Sequence, residues 1–431
     1  MEISSDLSSL TSIRIIDRPS STKSSIRLIT FNLFFFTSIV CLHITQLLIF
    51  PLIFTFNRLS GCLKHFHILA KSTFSVILVI SIQTFAKTKI VITTDEGVDL
   101  EQWIVRDHDL MMRSIRLPKR SVIMANHQIY ADWLYIWCLA YLAELHGSIV
   151  IILKASLKWV PLVGPAMQMF QFIFLNRSWS SDKASLANEL SQMADGVSSI
   201  EGSTATDETN QRERLALLIF PEGTLVSPKT RPISKKYADK MGLSDLRHCL
   251  LPRSTGSLFC IRALHRKIPD LQLIDLTIGY PGIPSDGYGQ DYYTLQSIFG
   301  HGHSPREVHI HMRILPVSTI PIGKSHLKDS KYGSKDERGS SDDERAVDPT
   351  REEFEEFDGW IREQWIKKDE MLEKFYRDGR MCEVDEQAEG KGKALRRLEY
   401  QIELKSLWDG VRTLGLAIPG VSIIWLALKS V

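Results

Sequence analysis

An uncharged apolar stretch near the amino terminus restricts what this chain can fold into more than any other feature. Between Arg27 and Arg58 no charged residue occurs over about 30 positions, and Leu, Ile and Phe dominate. About 20 apolar residues are enough to cross a bilayer as a helix. The stretch starts late and is long for a signal peptide, and no clear small-residue cleavage site follows it. We therefore expect a membrane-spanning helix here.

Two further apolar stretches are shorter. Residues 72–86 lie between Lys71 and Lys87. They fit either a tilted or half-inserted membrane helix or an ordinary core helix. Residues 413–428 are long enough to enter a membrane but marginal for crossing it. Basic residues flank the first stretch on both sides, so the distribution of charge does not settle its orientation.

Composition divides the chain into regions. Polar segments with few large apolar residues cannot bury enough surface to become ordered, and 198–212 is one of them. The expected order is a disordered tail (1–26), membrane-anchoring helices (27–87), an α/β domain (88–320), a charged disordered loop (321–353), a helical extension (354–407) and an apolar membrane-associated C-terminal helix (413–431).

Short β-branched runs alternate with helical patterns in the α/β region. Continuously apolar runs are typical of strands buried on both faces, and strands that alternate with helices indicate a mainly parallel sheet. We predict an α/β fold with a mostly parallel mixed sheet and flanking helices. The predicted strands are 89–93, 121–125, 149–153, 172–175, 215–220 and 273–280, and the predicted helices are 130–145, 182–193 and 252–266.

Residues 308–315 have a different pattern. Apolar residues alternate there with His309, His311 and Arg313, which predicts a half-exposed strand at the edge of the sheet. The histidines of this region lack a convincing metal-ligand set, and no metal is expected; they are His301, His303, His309 and His311.

Charge and cysteine usage exclude other classes of protein. The net charge is +2 and the isoelectric point is about 8.1 over 431 residues, so nothing indicates a nucleic-acid partner. The six cysteines are scattered without a CxxC pair. This spacing predicts reduced, mostly buried thiols rather than a zinc site or a cysteine nucleophile.

Asn126-His127 and Asp132 have the pattern of a general base and its orienting acid. His127 follows the predicted strand 121–125, and open α/β sheets place ligand chemistry at such strand ends. Imidazole is neutral and basic at working pH. If Asp132 lies in the first helical turn, its carboxylate reaches back, fixes the ring tautomer and stabilises the imidazolium. Alone, the pattern more often describes a structural turn residue.

A second motif strengthens this interpretation. Residues 220–224, Phe-Pro-Glu-Gly-Thr, end an apolar run about 90 residues downstream. Gly223 allows a sharp turn and a close approach of the backbone to a ligand. Glu222 offers a carboxylate and Thr224 a hydroxyl, both able to hydrogen-bond a glycerol or phosphate-bearing group.

Together, NHx4D and FPEGT resemble the signature of the glycerolipid acyltransferases of the lysophosphatidic acid acyltransferase superfamily. Those enzymes move a fatty acyl group from acyl-CoA to a hydroxyl of a lysophospholipid. The resemblance covers about residues 90–380. It implies that His127 is the base, that Asp132 orients it, that no serine nucleophile is needed, and that residues 220–224 bind the acceptor lipid.

The segment from Lys154 to Trp179 resembles the family's second block. Arg177 matches the arginine that meets the acceptor's phosphate, and a guanidinium suits bidentate phosphate binding. The alternative is a solvated arginine at a strand end. Lys154, which opens this segment, is a further expected substrate-binding residue.

Leu225 departs from the family pattern, which often has Arg after FPEGT. Lys229 and Arg231 are candidates to supply the missing positive charge. The departure puts specificity for phosphatidic acid precursors in doubt. Residues 250–256 and 357–376 resemble the branch of lysocardiolipin and lysophosphatidylinositol acyltransferases and their fungal relatives.

The resemblance implies an integral membrane enzyme, expected in the endoplasmic reticulum, that needs no cofactor. Its partners are the lipid membrane, acyl-CoA as co-substrate and a lysophospholipid, of the lysophosphatidylinositol or lysocardiolipin type. The alternative acceptor is 1-acylglycerol-3-phosphate. The alternative from outside the class of enzymes is a catalytically silent membrane scaffold. A lipid hydrolase is disfavoured because no GxSxG serine elbow is present.

Overall fold

The computed structural model describes residues 12–18, 22–55, 60–106, 112–198, 214–327, 347–381, 395–406 and 408–411. The expected C-terminal helix, residues 1–11 of the expected tail, and most of the two polar loops lie outside the described residues. The helices are α1 (Thr22–Thr55), α2 (Ser60–Phe85), α3 (Asp132–Leu142), α4 (Val163–Met169), α5 (Trp179–Ser198), α6 (Arg231–Met241), α7 (Ser254–His265), α8 (Gly289–Tyr292) and α9 (Arg351–Asp378).

The predicted α/β fold with a mostly parallel sheet is confirmed. Eight strands pair in the order β10-β1-β9-β8-β4-β7-β5-β6, and only the β1–β10 and β8–β9 pairs are antiparallel. The strands are β1 (Lys89–Thr93), β4 (Arg120–Ala125), β5 (Ile149–Lys154), β6 (Ile173–Leu175), β7 (Leu215–Ile219), β8 (Gln272–Gly279), β9 (Glu307–Pro316) and β10 (Arg397–Gln401), and a separate hairpin joins β2 (Ile104–Arg106) to β3 (Met112–Ile115).

The two amino-terminal helices are both long and apolar enough to cross a membrane. In α1 the qualifying segment is Ser24–Leu48, of which 22% is buried, and in α2 it is Phe66–Phe85, of which 61% is buried. Thus α2 packs mainly against the domain, whereas α1 leaves most of its apolar surface open. The prediction of a disordered tail over residues 1–26 is wrong for the last part of that range. Helix α1 begins at Thr22, and the Arg18 side chain donates a hydrogen bond to the Tyr292 carbonyl.

The prediction of an exposed edge strand at 308–315 is wrong. Strand β9 lies inside the sheet between β1 and β8, and both histidines of the strand are buried. Helix α9 covers the face that carries them, with the Phe375 ring 4.9 Å from the His309 ring. On the same face the His311 ring bonds the Asp95 carboxylate. Alternating polarity therefore reflects internal polar contacts here, not exposure to water.

The predicted helical extension is correct only in its first half. Helix α9 begins after a capping box formed by Thr350 and Glu353, and it ends at Asp378. Residues 397–401, expected to be helical, form β10 and pair antiparallel with β1. The open edge of β1 supplies backbone hydrogen-bond partners that local charge patterning does not reveal.

The predicted state of the cysteines is confirmed where the structure describes their side chains. Cys41, Cys138, Cys249 and Cys260 are free and buried.

Candidate active site

The sheet topology gathers the predicted residues at one edge. Strands β4, β7, β5 and β6 are parallel neighbours, and β8 is parallel to β4 on its other side. Their carboxyl ends therefore share one edge, where open α/β sheets bind ligands. The residues at or just after these ends are His127, Lys154, Arg177, Glu222 and Tyr280.

The Asp132 carboxylate reaches back to the imidazole of His127, as the sequence predicts. His127 lies in the turn after β4, Asp132 opens α3, and Nδ1 is 2.7 Å from Oδ2. Oδ2 also accepts the backbone N–H groups of Gln128 and Ile129 at 2.6 and 3.0 Å. Asp132 is fully buried, so its charge acts on the groups packed around it and not on solvent. The acid thus fixes both the loop and the ring.

Tyr280 supplies a contact that sequence reasoning missed. Its hydroxyl donates to the second oxygen of Asp132 at 2.5 Å from the end of the neighbouring strand β8. Burial, and then the adjacent Asp132 charge, raise the pKa of the Tyr280 phenol well above its ordinary value. The phenol therefore stays protonated and donating at any physiological pH.

Asn126 holds the end of β4 against β8. Its Nδ2 donates to the Ile278 carbonyl at 3.0 Å, and its Oδ1 accepts the Ile278 N–H at 2.7 Å. Asn126 is fully buried. A side-chain amide can make both bonds at once with the N–H and C=O of a single residue. The residue before His127 is therefore positioned by the sheet rather than free to contact substrate.

Glu222 supports the site from beneath instead of facing the acceptor. Its carboxylate accepts the N–H groups of His127 at 3.1 Å, Leu250 at 3.1 Å and the Trp365 indole at 3.3 Å. Only 2% of Glu222 is exposed, and burial raises the pKa of its carboxyl to about 8. The three N–H donors oppose that rise by favouring the ionised form. Direct contact of Glu222 with a head group, predicted from sequence, does not fit these contacts.

The imidazole of His127 presents one nitrogen outward. Its ring stacks on Phe220 with centroids 4.4 Å apart, and its side chain is 19% exposed. Among the described residues, no protein group hydrogen-bonds Nε2. A ring held by Asp132 at Nδ1 and by Phe220 on its face keeps Nε2 free to accept a proton from an incoming hydroxyl.

The remaining predicted residues divide into two groups. Lys154 and Arg177 are exposed and Thr224 is half-buried at this edge, so they stay candidates for substrate contact. Gly223 has a φ of +70°, in the left-handed region that favours glycine, which explains why this position of the turn holds a glycine. Arg231, by contrast, donates to the carbonyls of residues 246, 247 and 249. These bonds engage its guanidinium in holding that loop, and direct phosphate binding by Arg231 does not fit.

An open polar cleft of about 300 Å³ adjoins the site. Gln128 and Val226 line it, and the Val226 N–H donates to the His127 carbonyl at 3.2 Å. His127 and Arg177 do not line this cleft. The general base therefore faces the open sheet edge, and the cleft lies beside it.

In fold and site the chain has the features of an α/β enzyme that uses a general base, because a buried acid orients a histidine at the carboxyl edge of a mostly parallel sheet. Comparison with known proteins agrees with this class. Residues 111–279 match the acyltransferase family. A 2-acyl-1-lysophosphatidylinositol acyltransferase of Saccharomyces cerevisiae is 32% identical over 331 residues, 73% of either chain. The chain belongs to the glycerolipid acyltransferase superfamily.

Two further relatives differ in the acceptor that their names specify. Lysocardiolipin acyltransferase 1 of Gallus gallus is 31% identical over 264 residues, which cover 61% of this chain and 55% of that protein. A probable 1-acyl-sn-glycerol-3-phosphate acyltransferase of Arabidopsis thaliana is 34% identical over 203 residues, 47% of either chain. The similarity to the yeast lysophosphatidylinositol enzyme extends over more of this chain than the similarity to either of these two proteins.

Proposed function

We propose that this protein transfers a fatty acyl group from acyl-CoA to a free hydroxyl of a lysophospholipid at a membrane surface. The Asp132–His127 pair with an open Nε2 carries the proposal. Nε2 takes the hydroxyl proton while the oxygen attacks the thioester carbonyl carbon. The tetrahedral intermediate then expels the CoA thiolate, which recovers the proton from the imidazolium. A silent scaffold is disfavoured because every contact that orients His127 is intact.

For the acceptor, we propose a lysophospholipid with an esterified phosphate, of the lysophosphatidylinositol or lysocardiolipin type. The extent of similarity to the yeast lysophosphatidylinositol enzyme supports this choice, as does Leu225 in place of an arginine. The second candidate acceptor is 1-acylglycerol-3-phosphate, which the similarity to the Arabidopsis protein supports.

A panel assay separates the two candidates. Purified protein is incubated with labelled acyl-CoA and with lysophosphatidylinositol, monolysocardiolipin or lysophosphatidate. We expect the highest kcat/KM with an acceptor whose phosphate is esterified. If lysophosphatidate reacts several-fold faster, the acceptor proposal is wrong although the acyltransferase assignment stands.

Arg177→Ala is expected to raise the KM for lysophospholipid by about 10- to 100-fold, because a lost charge-assisted hydrogen bond weakens binding by about 1.5–3 kcal/mol. The KM for acyl-CoA should change less than about twofold. Arg177→Lys should recover only part, since an ammonium cannot reproduce the guanidinium fork. Arg106→Ala, which removes an exposed ion pair with Glu101, is the matched control. Equal effects on both substrates would instead indicate a folding role.

We also propose that α1 anchors the protein in the endoplasmic reticulum membrane. Ile29 and Leu33 are exposed on α1, and a Lys at the centre of a spanning helix costs about 2.5–3.5 kcal/mol. Replacing both with Lys should release protein during carbonate extraction, whereas removing residues 413–431 should not. Full retention of the double Lys variant, or release of the tail-deleted form, would contradict this anchor. Microscopy with an organelle marker tests the compartment.

A further inference from the structure

Arg253 lies over the turn that holds the general base. It precedes α7, and its N–H donates to the Pro221 carbonyl at 2.8 Å. Its side chain crosses Gly223 so closely that a Cβ at that glycine would lie 3.3 Å from the Arg253 Nε. Glu222, the neighbour of that glycine, bonds the His127 N–H. A guanidinium is thus placed beside the catalytic turn by residues remote in sequence.

Arg253 and Arg177 form a pair of like charges. They stand just before the first residues of α5 and α7, two helices that pack together with the Trp179 and Phe259 ring centroids 5.2 Å apart. The positive charge of Arg253 also helps to lower the pKa of Arg177, after the larger effect of partial burial. Both residues are exposed, and within the described part of the chain neither guanidinium has a hydrogen-bond or carboxylate partner. Two guanidinium groups repel each other unless an anion lies between them. Two neighbouring guanidinium groups raise the local positive potential, which favours an anionic ligand at this position.

The loop before α5 holds Arg177 in an unfavourable backbone conformation. Its φ is +65°, in the left-handed region that favours glycine. The Asp182 carboxylate accepts the N–H groups of Asn176 and Ser178, both at 3.0 Å, and so clamps the residues on either side. A strained residue that its neighbours hold in place is typical of a binding site.

The position after FPEGT does not supply a cation in this chain. Only 5% of Leu225 is exposed, so its side chain lies in the protein interior. Arg231, a sequence candidate for the missing charge, is engaged by three backbone carbonyls. Arg253 is the arginine that the fold brings to the FPEGT turn instead.

We propose that Arg253 and Arg177 together bind the acceptor's phosphate, with Arg253 replacing the arginine that this chain lacks after FPEGT. The inference rests on the proposed function, because it assigns a subsite for the same lysophospholipid. Two guanidinium groups can each donate to the non-bridging oxygens of a phosphodiester. CoA also carries phosphates, and the experiment distinguishes these two sources.

The test is a kinetic comparison of full-length Arg253→Ala, Arg253→Lys and wild-type protein with lysophosphatidylinositol and acyl-CoA. We expect Arg253→Ala to raise the KM for lysophosphatidylinositol by about 10- to 100-fold, with the KM for acyl-CoA nearly unchanged. Arg253→Lys should recover part of the loss and also keeps a cation if the Ala variant folds poorly. Arg266→Ala, near the other end of α7, is the control.

The double variant Arg177→Ala/Arg253→Ala tests whether the two groups share one ligand. Its effect on the lysophosphatidylinositol KM should differ from the product of the single effects, because residues that bind the same group are coupled. Strictly multiplicative effects would place them in separate subsites. An unchanged lysophosphatidylinositol KM in Arg253→Ala, or a larger rise for acyl-CoA, would overturn the proposal. Absence of acyl transfer by wild-type protein would instead refute the proposed function.

Discussion

His127→Ala should lower kcat for acyl transfer by about 10²–10⁴-fold, the range that a positioned general base contributes. The loss should fall on kcat rather than on either KM, because the ring acts on the proton in transit and not on the bound lipid. The imidazole is partly exposed and is held at Nδ1, so removing it leaves the buried Asp132 and Glu222 contacts with backbone N–H groups in place. Transfer from labelled acyl-CoA in membranes measures the effect.

His301→Ala is the matched control for this variant. His301 is an exposed histidine whose ring bonds the Ser24 hydroxyl, and it makes no hydrogen bond with His127 or Asp132. It should retain near-normal turnover and the same level of membrane-bound protein. Near-normal turnover by His127→Ala would rule out the mechanism, and a loss shared equally by His301→Ala would indicate general damage.

Sequence predicted the parts of this site that depend on short chain separations. His127 and Asp132 are five residues apart across a strand-to-helix turn, and the strand and helix patterns place both on one edge. The apolar runs that predict β4, β5, β7 and β8 are continuous, so their burial in a parallel sheet is readable directly. Local pattern and final fold agree wherever the interacting residues are close in sequence.

The parts that sequence missed depend on partners far along the chain. Tyr280 reaches Asp132 because β8 is the neighbour of β4, and Trp365 reaches Glu222 because α9 packs across that region. Nothing near Tyr280 or Trp365 in the sequence encodes either partner. The prediction that Glu222 binds the acceptor rests on its carboxylate chemistry and on the family resemblance, whereas its three N–H donors give it a structural role.

A second cause of error was to equate polar residues with exposed ones. His311 lies inside the sheet with its ring between the Thr93 hydroxyl and the Asp95 carboxylate. Nearby, Arg313 and Lys368 pair with the buried Asp275. Buried charges are tolerated when they are paired, so this polar layer joins α9 to the sheet.

Asp132→Asn should lower kcat by about 10²–10⁴-fold while leaving the fold intact. The Asn amide oxygen can still accept the N–H groups of Gln128 and Ile129, and its nitrogen can donate to the Tyr280 oxygen. What is lost is the negative charge beside the imidazole, which stabilises the imidazolium that forms as the hydroxyl proton is taken. The measurement is acyl transfer together with a thermal melting curve.

Asp369→Asn separates loss of this charge from loss of a loop support. The Asp369 carboxylate accepts the N–H groups of Arg247, His248 and Cys249, so it supports a loop as Asp132 does, but it makes no contact with His127. We expect a modest fall in melting temperature for both variants and a large fall in kcat only for Asp132→Asn. Comparable kcat values in the two variants would mean that Asp132 shapes the turn without assisting proton transfer. His127 would then act as a base without an anionic partner.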